Sequence, residues 1–116
     1  MDARLAKALD FSNYMVTLNN QKRLLAEKYQ DDLLYFYNGS QFTVTCELIT
    51  FVNIMISSDQ DELVIIDDNN FPCLIENLAD FYDNIVNVYM LSSNNYHSQY
   101  LKLQKNRSVE KLVNYE

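Results

Sequence analysis

One glycine and one proline are all the backbone punctuation this chain has in 116 residues. Sandwiches, barrels and phosphate-binding loops spend glycine on turns and close approaches, and here there is a single one to spend. Long helices are what remains. Length alone predicts one domain over 1–116. A hydrophobic content of 48% against 22% charged is enough to build a core, so disorder is not expected.

Residues 3–32 read as one long helix. Ala8, Phe11, Met15, Leu18, Lys22, Leu25, Tyr29 and Leu33 recur at spacings of three and four, with Lys22 the weak member. The only glycine comes next. Asn38-Gly39 lies between Leu33–Tyr37 and Phe42–Val44, and an Asn-Gly pair between apolar runs specifies a type I′ hairpin. Leu34, Phe36 and Phe42 are the expected core of that hairpin. Thr45 is placed to cap a short helix, with Glu47 in its first turn and Leu48, Ile49, Phe51, Val52, Met55 and Ile56 burying it. Ser57-Ser58 ends it. Glu62–Asp67 reads as a strand, Asp68-Asn69-Asn70 as a turn, and Phe71–Ile75 as the returning strand. Pro72 cannot donate a ladder hydrogen bond, so that strand should be an edge.

Asn77 with Asp80 is a variant capping box that opens the last helix. Its stripe runs Leu78, Phe81, Ile85, Val88 or Tyr89, Ser92, Tyr96, Gln99 and Leu103, then Val109, Leu112 and Val113, with a break conceivable at 106–108. Unbroken, it covers 78–115 and is roughly 55 Å long. The expected fold is mainly α with a small β part. A long antiparallel two-helix stalk should carry a small head, residues 33–77, of hairpin strands and one short helix. Two helices bury only one face each, so a homo-oligomer or docking on a larger assembly is expected.

The net charge of −7 hides a division. Arg4, Lys7, Lys22, Arg23, Lys28, Lys102, Lys105, Arg107 and Lys111 are all the bases, and none lies in the 73 residues from Tyr29 to Leu101. That stretch holds eleven acids, a formal −11, and the rest of the chain sums to +4. Solubility and helix-dipole matching account for part of this: Asp80 and Asp83 start the last helix and Lys102–Lys111 lie near its end. The other reading is an acidic head that meets a basic partner surface. Asp59, Asp61, Glu62, Asp67 and Asp68 are its candidate contact residues. General nucleic-acid binding needs the opposite sign and is not expected.

Conventional chemical sites are not in evidence. Cys46, Cys73 and His97 cannot form a tetrahedral zinc site without carboxylate help, and in a reducing compartment the cysteines read as free thiols. Asp59–Glu62 and Asp67–Asn70 are oxygen-rich but lack the glycine and terminal glutamate of a calcium loop; turn chemistry accounts for them. His97 and Ser98 are neighbours on a helix and face different ways, so they form no triad. No cofactor and no enzymatic activity are expected. Tyr82, Tyr89 and Tyr96 recur every seven residues, either as a flank of the helix seam or as an interface stripe. With no apolar start segment and no run long enough to span a membrane, the chain reads as soluble and cytoplasmic.

The segments MDARLAKALDFSNY, FTVTCELITFV, IIDDNNFPCLIENL and YLKLQKNRSVEKLV together resemble small hypothetical proteins of contractile-tailed phages of marine cyanobacteria. The resemblance implies a phage origin and supplies no activity, site or cofactor. It leaves two expectations: a non-enzymatic protein that binds a host or phage protein, or a virion or assembly component held in an oligomer by its helices.

Overall fold

The elements of the computed structural model, which describes residues 2–115 and the side chains of 2–105, follow the expected order. They are α1 (Ala3–Asp32), β1 (Leu34–Tyr37), β2 (Ser40–Thr43), α2 (Cys46–Ser57), β3 (Leu63–Ile66), β4 (Pro72–Ile75) and α3 (Leu78–Tyr115). The fold is mainly helical with two small antiparallel hairpins, β1-β2 and β3-β4, each a separate two-stranded sheet. The chain divides into two compact units. One is Gln30–Ser93; the other joins residues 3–29 of α1 to α3 from Asn94 onward.

In the Gln30–Ser93 unit the turn residues act as their chemistry requires. Asn38 and Gly39 have φ of 47° and 81°, the left-handed pair a type I′ turn needs. The register Tyr35↔Phe42 puts Phe42 on one face with Tyr35 and Tyr37. All three rings pack edge-on against Phe81, at centroid distances of 5.8, 5.8 and 5.4 Å. Phe36 falls on the opposite face and is 64% exposed, and Leu34 is only half-buried. A strand alternates its faces, so Leu34, Phe36 and Phe42 cannot share one core. Phe42 is buried as expected, and half-buried Tyr35 and Tyr37, not Leu34 and Phe36, share its face.

Thr45 caps α2 by accepting the Leu48 N–H at 3.1 Å. Only Val52 of this helix is fully buried; Leu48, Ile49, Met55 and Ile56 are half-buried around it, and Phe51 is exposed. A single helix lying on one side of a small core buries a stripe, not its circumference. Asn77 caps α3 as expected, accepting the Asp80 N–H at 3.2 Å and donating to the Asp80 carboxylate at 3.0 Å. Leu78, Phe81, Ile85 and Ser92 are buried in turn, and Ser92 Oγ donates to the Asp32 carbonyl at 3.1 Å. Val44, Val52, Ile75 and Leu78 complete the core with no exposed surface.

In the helical unit, α1 and α3 run antiparallel. Tyr29 stacks on Tyr96 at 4.9 Å, and further along Lys22 Nζ lies 5.7 Å from the ring centroid of Tyr100. A groove lined by Gln21, Leu24, Leu25, Gln99, Lys102 and Leu103 continues the seam. Lys22 thus holds its place in the stripe through its aliphatic stem and a cation–π contact. The seam is shallow. Among its described residues none is buried, and Phe11 and Met15, expected on the stripe, are exposed while Tyr14 is half-buried. α3 is unbroken through 106–108. The side chains of Val109, Leu112 and Val113 lie outside the described residues.

Candidate protein-binding surface

The two units divide the charge as they divide the contacts. Gln30–Ser93 contains all eleven acids of the cation-free stretch and no Lys or Arg; every basic residue belongs to the helical unit. An ion pair, Arg23–Glu27 at 2.9 Å, lies on α1 and is exposed. Asp59, Asp61, Glu62 and Glu76 of the Gln30–Ser93 unit make no ion pair among the described residues.

The five candidate acids separate into two kinds. Asp67 is buried and spent on its own turn: its Oδ1 accepts the N–H groups of Asn69 and Phe71, each at 2.9 Å. Asp68 is exposed but ties the second hairpin to the first. Its Oδ2 accepts Thr43 Oγ1 at 2.7 Å and Gln41 Nε2 at 3.2 Å, and its Oδ1 accepts the Thr43 N–H at 3.1 Å. Loss of surrounding water acts to raise the Asp68 pKa. The hydrogen bonds from Thr43 and Gln41 together outweigh it and hold the carboxyl below its usual value of 3.8. Asp59, Asp61 and Glu62 are exposed, and their carboxylates make no hydrogen bond or ion pair among the described residues. Asp59 adopts a left-handed φ of 64°, which turns the chain out of α2 toward β3. Asp59 and Asp61, with Glu76, line a cleft of about 510 Å³ at the foot of the second hairpin.

The tyrosines are half-buried and divided between the units. Tyr89 receives the Cys46 thiol hydrogen at 3.3 Å, and Tyr96 stacks on Tyr29 and meets Tyr100 edge-on. Tyr82 is half-buried near the start of α3. Among the described residues no group of three or more His, Cys, Asp or Glu is placed to hold a metal ion. Cys46 is exposed, Cys73 is buried, and both are free thiols. Among the described residues, no helix is long and apolar enough to cross a membrane.

Two features went unread in the sequence. Glu76 joins the acids of the cleft only because β3 and β4 pair in the register Leu63↔Ile75, which brings the two hairpin ends together. The second feature, an apolar outer face on this hairpin, had a visible signal. LVII and PCLI are apolar at every position, where a strand with one wet face alternates. No protein-family model, curated protein or solved structure matches the chain.

Proposed function

We propose that this is a non-enzymatic protein-binding protein, phage-encoded as its resemblance implies, whose Gln30–Ser93 unit docks on a basic surface of a host or phage protein. One observation carries the reading: a folded unit with eleven acids and no Lys or Arg of its own. A surface of one sign repels itself and gains from an opposite one. Such a complex forms fast and weakens with salt. Capture of the partner by tagged protein at about 0.05 M and about 0.5 M salt tests it. Loss at the higher salt is expected. Binding indifferent to salt would shift the contact to Tyr82, Tyr89 and Tyr96.

A second reading has its own support. Leu5, Leu9, Phe11, Val16 and Leu24 of α1 are all exposed. A helical seam this shallow gains from further helices, which favours an oligomeric or virion-bound component. Mass spectrometry of purified particles separates the two, because an assembly component would be abundant in them.

A further inference from the structure

We propose that the outer face of the β3-β4 hairpin, with the acidic cleft at its foot, docks an apolar, lysine- or arginine-bearing segment of a protein partner. The inference rests on the reading above and gives that contact an address and a chemistry.

The apolar part comes from the register. Leu63, Ile65, Cys73 and Ile75 occupy the inner positions of the hairpin. Val64 pairs with Leu74 and Ile66 with Pro72, so the outer positions form two adjacent apolar pairs. Val64, Ile66 and Leu74 are 56%, 58% and 46% exposed, and Phe71 at the turn end is 66% exposed. A two-stranded sheet with one face on a core normally turns polar residues to water. A contiguous apolar face in that position marks an interaction site.

Charge selects the occupant. Glu62 and Glu76 lie one position beyond the last rung, Leu63↔Ile75, in phase with the outer residues, and both are exposed. Glu76 also lines the cleft with Asp59 and Asp61. The apolar strip therefore ends at carboxylates that have no cation among the described residues. An entering segment that covers Val64, Ile66 and Leu74 meets those carboxylates at once, and a Lys or Arg on it would desolvate them at least cost. A second copy of the unit brings another −11, and a nucleic acid brings phosphates; like charge disfavours both.

The test uses the full chain and a fluorescent peptide of about sixteen residues, with leucine on one helical face and lysine on the other. One control peptide replaces leucine by serine, and another replaces lysine by glutamate. Binding of the Lys/Leu peptide alone is expected. Val64→Thr with Leu74→Thr, which keeps strand propensity, should weaken it about tenfold, and Asp61→Asn with Glu76→Gln comparably. Asp80→Asn with Asp83→Asn should change it less than threefold. Equal binding of the Lys/Ser peptide, or indifference to the Val64/Leu74 pair, overturns this inference and leaves the acidic-surface reading standing. Failure of every lysine peptide to bind overturns both. Light scattering across concentration closes the remaining route: a dimer that the Val64/Leu74 variant converts to monomer makes a second copy the occupant and overturns the proposal.

Discussion

The Gln30–Ser93 unit and the α1–α3 helical unit are built by opposite economies. Every fully buried residue described, from Leu33 to Ser92, lies in the first; the second has none among its described residues. The first carries eleven acids and no base, the second all nine bases. A packed core tolerates a self-repelling surface because burying one large apolar side chain, about 1.5–3 kcal/mol, outweighs a surface charge pair of about 1 kcal/mol or less. A shallow helix seam has no such reserve. It depends on propensity, on i,i+4 pairs such as Arg23–Glu27, and on whatever further surface it meets. The cation-free surface thus sits where the fold can bear it.

The comparison breaks most easily at Phe81. Its ring is the hub for Tyr35, Tyr37 and Phe42, so Phe81→Ala should cost about 3–5 kcal/mol in urea unfolding. Leu25→Ala, in the helical seam, should cost about 1 kcal/mol or less. Equal costs would mean that Leu25 is buried by another copy or partner. Gly39→Ala comes next. An added Cβ meets nothing within 4 Å, so the whole effect is the left-handed φ of 81°, roughly 1–2 kcal/mol by the same assay. Smaller again is Lys22→Gln, which removes the cation from the Tyr100 face: about 0.5 kcal/mol, read as a drop in Tm that high salt diminishes.

Elements whose cause is local were legible in advance. The Asn38-Gly39 turn, the Thr45 and Asn77 caps and the Leu78–Leu103 stripe of α3 each depend on a few consecutive or evenly spaced residues, and each is where the pattern put it. What went wrong was sidedness. Leu34, Phe36 and Phe42 all read as core, but the cross-strand register, a long-range property, puts Phe36 outside and half-buried Tyr35 on the face of Phe42. The candidate site was half legible for a related reason. Composition exposed the missing cations, while the spending of Asp67 on its turn and the arrival of Glu76 at the cleft depend on folded geometry.

Asp68 gives the smallest effect at neutral pH and sharpens the comparison from within the acidic unit. Its hydrogen bonds to Thr43 and Gln41 lower the folded pKa below 3.8, the usual value. A depressed carboxyl adds stability that is fully present above the unfolded pKa and is lost as pH falls through the folded one. Acidification from pH 7 toward about 5 should therefore leave the Asp68 contribution intact, and its loss should begin only as the pH falls to about 4 and lower. Asp68→Asn cannot lose a proton-linked bond it never had. Urea midpoints between about pH 3 and 7 should show a shallower acid limb for the variant, with little difference from the parent at neutrality. Superimposable limbs would mean that the tie between the two hairpins rests on the Asp68 N–H to Gln41 carbonyl bond, at 2.9 Å, and owes nothing to the charge.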